Sequence, residues 1–182
     1  MDADGFDVLY EEGPCLVVCK PAGLLTQAPQ KIDSLEVRVR RFLMQRDGKA
    51  YDAYLSVVHR LDRPVSGALL MATTPRATRR LSEQIQARTV DKVYWALLEG
   101  QLDAEEGEWV DYVRKIPNQA RSEVVDQAHP EGRIAVLRFR LLEQTSTCAW
   151  VEIRLETGRT HQIRVQSAWH GHNVVGDVLY GA

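Results

Sequence analysis

The apolar residues of this chain occur in short runs, and this grouping limits the folds that the chain can adopt. Two clear runs, residues 16–18 and 68–72, have the length of a buried β-strand. No run approaches the roughly 18 residues that a membrane-spanning helix needs. In residues 151–155, apolar side chains alternate with charged ones, which predicts a strand with one buried face. The pattern therefore indicates a sheet-rich globular protein without a membrane span.

The sequence predicts more strands than helices. Ser34 is an N-cap signal for one helix, and Thr74 followed by Pro75 is a signal for a second. Gly171 would close a third helix. The predicted strands cover 6–10, 15–20, 55–58, 68–72, 93–98, 109–113, 134–142 and 149–155, and the predicted helices cover 34–45, 75–87 and 160–170. We therefore predict a single α+β domain over residues 1–182, with a mixed, largely antiparallel sheet flanked by a few helices.

Composition excludes several classes of protein. The chain is 45% hydrophobic and 26% charged, as in ordinary globular proteins, which argues against disorder, collagen or coiled coil. The acidic N-terminus does not resemble a signal peptide, so we expect a cytoplasmic location. The three cysteines are an odd number without a Cys-x-x-Cys pair, which argues against a disulfide scaffold and a metal site.

Charge is segregated along the chain although the net charge is only −2. Residues 1–12 and 99–111 are acidic, whereas 38–46, 60–92 and 154–164 are rich in arginine. Arginine suits bidentate contacts with phosphate and stacking on bases. Solvated helix faces are the alternative, and for Arg76, Arg79 and Arg80 alone they are favoured. Taken together, the clusters favour a basic face that binds a nucleic acid.

Asp62 is the first candidate for chemistry. It follows an apolar strand, lies between Arg60 and Arg63, and precedes a loop that contains proline and glycine. The flanking guanidiniums would keep the carboxylate ionised, which suits a nucleophile or a base. The alternative is a buried ion pair that ties the loop to the core.

Two later segments carry further candidates. Tyr94 and Trp95 must lie on opposite faces of a strand, so that one of them can line a groove while the other packs in the core. In residues 155–166 a strand ends in a glycine turn, and a helix with several polar residues follows. Arginines at a helix N-terminus favour anion binding. His161 in this segment could equally be structural or a ligand.

These segments together resemble the RluA-like family of RNA pseudouridine synthases. Residues 59–67 (HRLDRPVSG) are similar to the family's catalytic loop, and residues 92–94 (KVY) and 158–164 (GRTHQIR) resemble its two later signatures in the same order. Residues 19–24 (CKPAGL) and 175–181 (VGDVLYG) are similar to the start and the late part of the same domain.

The resemblance implies a role for each matching residue. Asp62 would attack the target uridine, and Arg164 would pair with it. Tyr94 would stack on the flipped uracil, and Ile163 would pack beneath the base. Arg60 would fill the place that the flipped nucleotide leaves. Further contacts with RNA are expected from residues of the same motifs, namely Arg60, Arg63, Lys92, Arg159, His161 and Gln162.

The resemblance also implies isomerisation of specific uridines in structured RNA, ribosomal or transfer, without a metal or a cofactor. Flipping is needed because the glycosidic carbon is inaccessible inside a stacked helix. We expect a monomer with no separate RNA-binding domain.

The sequence departs from the family pattern at Val65, where threonine is usual, and at Gln166, where histidine is frequent. The chain also ends at Ala182, earlier than expected. A non-catalytic RNA-binding module that retains the fold is therefore the alternative. A metal-free hydrolase that uses Asp62 with His59 or His161 ranks last, because it lacks a paired acid or a nucleophile elbow.

Overall fold

The computed structural model describes residues 5–29, 31–48 and 53–182. The chain divides into two compact units, Met1–Thr89 and Val90–Ala182. Each unit has its own sheet. The prediction that residues 1–182 form one catalytic domain stays a prediction.

The first unit contains a four-stranded sheet and two helices. Its elements are β1 (Asp7–Glu12), β2 (Cys15–Lys20), α1 (Leu35–Arg46), β3 (Ser56–Val57), β4 (Gly67–Ala72) and α2 (Pro75–Gln86). The strand order is β1-β2-β4-β3, and each neighbouring pair is antiparallel. Alternate residues of β2 are buried, ending with Lys20, so one face of this strand lies on the core.

The two helices of this unit begin where the sequence predicts. The Ser34 side chain accepts a hydrogen bond from the Val37 backbone N–H, and the Thr74 side chain accepts one from Ala77. These caps satisfy donors that the first helical turn leaves without partners. Pro75 occupies the first turn of α2, where a missing N–H costs nothing.

The second unit contains a five-stranded antiparallel sheet and one helix. Its elements are β5 (Val93–Glu99), β6 (Glu106–Lys115), β7 (Ser122–Val125), β8 (Arg133–Gln144), β9 (Cys148–Leu155) and α3 (Gln162–Trp169). The order is β5-β9-β8-β6-β7. Buried side chains of β5, β6, β8 and β9 form one core cluster, and Val165 of α3 joins a second cluster with Tyr180.

The α+β class and the prevalence of antiparallel strands are confirmed. The strands form two sheets rather than one, and each pairing between strands of the described residues is antiparallel. Strand β7 was not predicted, because its four residues are too few for alternation to stand out. The last helix begins at Gln162 rather than at residue 160, because His161 has a left-handed backbone with φ of 56°.

No helix in the described ranges combines the length and the apolar character needed to cross a bilayer. The same ranges contain no group of three or more His, Cys, Asp and Glu side chains arranged to hold a metal ion.

Candidate active site

Asp62 lies in the loop between β3 and β4, at the position that the sequence predicts. It is half-buried, whereas its neighbours Arg60 and Arg63 are exposed. The Asp62 carbonyl accepts a hydrogen bond from the Val65 N–H at 3.1 Å, which closes a tight turn directly after the carboxylate. The carboxylate is therefore carried by a short, structured loop between two antiparallel strands.

Thr26 fixes the backbone on the N-terminal side of Asp62. Its buried Oγ1 donates to the Leu61 carbonyl at 2.8 Å and accepts from the Leu61 N–H at 3.2 Å. One hydroxyl thus satisfies both polar backbone groups of a buried residue. Leaving these groups buried without partners would cost free energy. Leu61 cannot rotate without breaking both hydrogen bonds.

Lys20 fixes the backbone on the C-terminal side. Its fully buried ammonium donates to the carbonyls of Pro21, Leu24 and Arg63 at 2.9, 2.6 and 3.2 Å. An ammonium has three protons, so these acceptors match its donor capacity. Burial lowers the pKa of Lys20 from its usual 10.5, and the negative charge of Asp62 opposes this shift. Lys20 therefore links the 20–24 turn to the loop and places a positive charge near Asp62.

Gly23 and Arg63 complete this clamp. The Gly23 N–H donates to the Arg63 carbonyl at 2.8 Å, and the Arg63 Nε–H donates back to the Gly23 carbonyl at 2.9 Å. Gly23 has φ of 85°, a conformation that glycine adopts without strain. We call residues 20–26 the clamp segment. It holds the backbone on both sides of Asp62.

His59 is engaged by the backbone of the adjacent strand. Its Nε2 accepts the Leu70 N–H at 3.0 Å, so the lone pair of this nitrogen is already used in a hydrogen bond. A hydrolase mechanism in which Nε2 takes a proton for Asp62 is therefore disfavoured.

In the second unit, Tyr94 lies on the inner face of β5. It is half-buried and packs with Ile163 against the same core cluster, whereas Trp95 is 69% exposed on the opposite face. The prediction that Tyr94 and Trp95 lie on opposite faces is confirmed. Lys92 Nζ lies close to Gly158. A Cβ atom added to this glycine would be 3.3 Å from that nitrogen. The second and third sequence signatures thus meet within this unit.

Arg164 is held by a bidentate ion pair with Asp177. Its Nε and Nη2 donate to the two carboxylate oxygens of Asp177 at 2.6 and 2.8 Å. Its guanidinium carbon lies 5.1 Å from the centre of the Tyr180 ring. The ion pair is buried, with side-chain exposures of 11% for Arg164 and 8% for Asp177.

The turn before α3 is held by side chains rather than by a helix cap. The Gln162 Oε1 accepts from Thr157 Oγ1 at 2.8 Å and from the Arg159 N–H at 2.9 Å, and its Nε2 donates to the Val136 carbonyl. Gln162 is 3% exposed, so these hydrogen bonds give it a structural role and do not support its predicted contact with RNA. His161 Nδ1 lies 2.9 Å from the Tyr180 hydroxyl.

Many of the arginines in the predicted basic clusters form ion pairs. The cluster at residues 38–46 was predicted to contribute to a basic face that binds a nucleic acid. Arginines of this cluster instead pair with carboxylates: Arg38 with Asp33, Arg40 with Glu36, and Arg46 with Glu11 and Asp47. In the second unit, Arg159 donates from Nε to the Ile134 carbonyl at 2.8 Å. Exposed ion pairs stabilise a fold by only about 0–1 kcal/mol, so such arginines can exchange partners. Their net contribution to a basic surface is nevertheless smaller than the sequence suggests.

No role was predicted for Thr26, Lys20, Asp177 or Tyr180. Lys20, Asp177 and Tyr180 lie in segments recognised by resemblance, and Thr26 lies just outside them. Their partners are as far as 58 residues away in the sequence, the separation of Tyr180 and Ser122. A buried lysine at the end of an apolar strand is the one signal that could have indicated an internal role for Lys20.

Comparison with known proteins identifies the family. Residues 14–169 match the family described as RNA pseudouridylate synthase. The chain is 38% identical over 175 residues to a ribosomal large subunit pseudouridine synthase D of Xanthomonas campestris, and 35% identical over 176 residues to an uncharacterized RNA pseudouridine synthase of Synechocystis. Each alignment covers 96% of this chain but only 51% and 54% of the respective relative, so the chain spans about half their length.

A solved structure supports the fold. The human protein named RNA pseudouridylate synthase domain containing 4 superposes with a TM-score of 0.81, over 95% of this chain and 68% of the human chain, at 22% identity. The family match covers most of the residues, and it includes all three ordered signatures around Asp62, Tyr94 and Arg164. The chain therefore belongs to the RluA-like group of the RNA pseudouridylate synthase family.

Proposed function

We propose that this chain is an RNA pseudouridine synthase in which Asp62 is the catalytic carboxylate. Family membership supports the reaction class, and the clamp segment supports the assignment of Asp62. Hydrogen bonds from Thr26, Lys20 and Gly23 fix the backbone on both sides of this one residue. Such preorganisation is typical of a reactive group whose position controls the rate. This arrangement is the observation that carries the proposal.

The proposed reaction rearranges one uridine without a change in mass. The bond between N1 of uracil and C1′ of the ribose breaks, the base rotates, and a bond between C5 and C1′ forms. C5 loses its proton, and N1 gains one. Asp62 supplies the carboxylate for attack, Tyr94 stacks on the flipped base, and Ile163 packs beneath it. Arg164 is the arginine that the family resemblance assigns to this reaction.

The substrate that we propose is structured RNA, with large-subunit ribosomal RNA as the first candidate, because several relatives carry that substrate in their names. Transfer RNA is the second candidate. Arg60, Arg63, Lys92, Arg159 and His161 would contact the RNA. We further propose that the protein works as a monomer in the cytoplasm and needs neither a metal nor a cofactor.

Release of the C5 proton tests this proposal. Ribosomal and transfer RNA transcripts labelled with [5-³H]uridine should release tritium to water when the wild-type chain is added. The variant Asp62→Asn should release at least about 10³-fold less, because an amide cannot act as a nucleophile or base, while its RNA affinity should change by less than about threefold.

Turnover by Asp62→Asn would refute the assignment of Asp62. RNA binding without tritium release by the wild-type chain would instead support the non-catalytic RNA-binding module. Free uracil among the products would indicate a hydrolase.

A further inference from the structure

Asp177 fixes the plane of the Arg164 guanidinium. The two hydrogen bonds, at 2.6 and 2.8 Å, join both carboxylate oxygens to the edge formed by Nε and Nη2. A bidentate pair of this kind sets direction as well as distance, which a single hydrogen bond does not. An unrestrained arginine side chain samples many rotamers. Asp177 removes much of this freedom before any substrate binds.

Tyr180 supports the same guanidinium from its face. Its ring centre is 5.1 Å from the Arg164 guanidinium carbon, a distance at which the ring attracts the cation. The Tyr180 hydroxyl accepts the buried Ser122 N–H at 2.9 Å and is also 2.9 Å from His161 Nδ1. The ring is therefore anchored at its far end and cannot swing away from Arg164.

The backbone around Asp177 is equally ordered. The Asp177 N–H donates to the Val174 carbonyl at 2.9 Å, and the Asp177 carbonyl accepts from Tyr180 at 2.9 Å. Gly176 has φ of 78°, which allows the sharp turn just before the carboxylate. These contacts hold Asp177 and Tyr180 on successive turns that both face Arg164.

We propose that Asp177 is a positioning residue that orients Arg164 for the isomerisation, with Tyr180 as its platform. This inference rests on the proposed function, because it assigns Asp177 to the reaction through Arg164. With Nε and Nη2 bound to Asp177, the Nη1 end of the guanidinium has a fixed direction. The substitution Asp177→Asn keeps the shape of the side chain but replaces one acceptor oxygen by a donor that faces the arginine. Arg164 would then lose its fixed orientation.

Asp177→Asn and a matched control test the proposal. Asp111 serves as the control, since its carboxylate is also buried in the second unit, 9% exposed, and pairs with His170. The rate is measured under single-turnover conditions at saturating protein, with a large-subunit ribosomal RNA transcript labelled with [5-³H]uridine as the probe. Asp177→Asn should lower this rate constant about 10- to 100-fold while the RNA Kd changes less than about threefold. Asp111→Asn should change both less than about threefold.

A double-mutant cycle separates positioning from a purely structural role. If Asp177 acts through Arg164, adding Asp177→Asn to an Arg164→Lys protein should lower the rate less than about threefold further. Independent losses in the double mutant would overturn the proposal. So would an equal loss of rate in Asp111→Asn, or a loss confined to the RNA Kd.

A measurement on the protein alone distinguishes failure of this inference from failure of the proposed function. The Arg164 Nε–H should give an exchange-protected signal in ¹⁵N NMR spectra, which disappears in Asp177→Asn and persists in Asp111→Asn. If the wild-type chain converts neither ribosomal nor transfer RNA, the proposed function fails. The Nε–H signal still decides whether Asp177 orients Arg164, and its persistence in Asp177→Asn would refute that orientation.

Discussion

Replacing Thr26 by valine should loosen the loop that carries Asp62. Valine has nearly the same shape as threonine, so the substitution removes the hydroxyl without opening a cavity. Both hydrogen bonds to Leu61, at 2.8 and 3.2 Å, are lost, and the Leu61 N–H and carbonyl then remain buried without these partners. The change therefore isolates the contribution of one hydroxyl to the clamp segment.

The magnitude follows from the burial of these groups. Thr26 is 5% exposed and Leu61 is 8% exposed, so water cannot readily replace the hydroxyl. Leaving a buried backbone group unsatisfied costs about 1–3 kcal/mol, and two such groups are affected. The additional methyl group of valine offsets about 1 kcal/mol. We expect the free energy of unfolding to fall by about 1–5 kcal/mol.

Urea unfolding and the tritium-release rate measure the two consequences. Thr89→Val is the matched control, because its Oγ1 also donates to a carbonyl, that of Gln84 at 3.2 Å, but at an exposed position. The control should lose less than about 0.5 kcal/mol and keep its rate. Thr26→Val should also lose about tenfold or more in rate, since Asp62 directly follows Leu61. Wild-type stability and rate in Thr26→Val would refute the view that this hydroxyl positions the loop.

Two further predictions concern Tyr180 and the charged surface. Burial raises the pKa of Tyr180 above its usual 10.0, so its stabilising contribution is complete below pH 10 and is lost as the pH rises through the folded-state pKa. Urea titrations should show that Tyr180→Phe is less stable than wild type by about 1–3 kcal/mol at pH 8. This difference should shrink above pH 10. A difference that stays constant with pH would contradict the burial argument. Binding of RNA should weaken about 50-fold between about 50 and 200 mM salt if four arginines contact phosphates in single-stranded regions. A decrease of less than about threefold in filter binding would show that the arginine clusters do not contact phosphate.

The secondary structure could be predicted where the signals are local. Ser34 and Thr74 cap their helices as expected, because a cap depends only on residues within one turn. The strand β7 could not be predicted. Its first residue, Ser122, is buried because its N–H donates to Tyr180 and its hydroxyl donates to the Thr160 carbonyl, and both partners are distant in the sequence.

The same distinction explains what could be predicted of the site. Asp62 could be proposed as a candidate because its arginines and its loop are adjacent in the sequence, and the face of Tyr94 was predicted correctly because alternation fixes the face of a strand. The role of Lys20 depends on a carbonyl 43 residues away, that of Arg63. Nothing near Lys20 in the sequence reveals that partner. Ion pairing of the arginines in α1 could have been considered from Glu36 and Arg40, which are four residues apart on one helix.

In each unit, side chains from another segment hold one candidate site residue in place. In the first unit, Lys20 and Thr26 bind the backbone on both sides of Asp62. In the second unit, Asp177 and Tyr180 bind the side chain of Arg164. A loop residue needs its backbone fixed because its side chain is short, whereas a long arginine on a helix needs its terminal group fixed because the helix already holds its backbone. The type of support therefore follows from the length of the side chain and the element that carries it. This explains why the segments at 20–26 and 175–181 contain fixed turns and buried polar groups although neither supplies the proposed nucleophile.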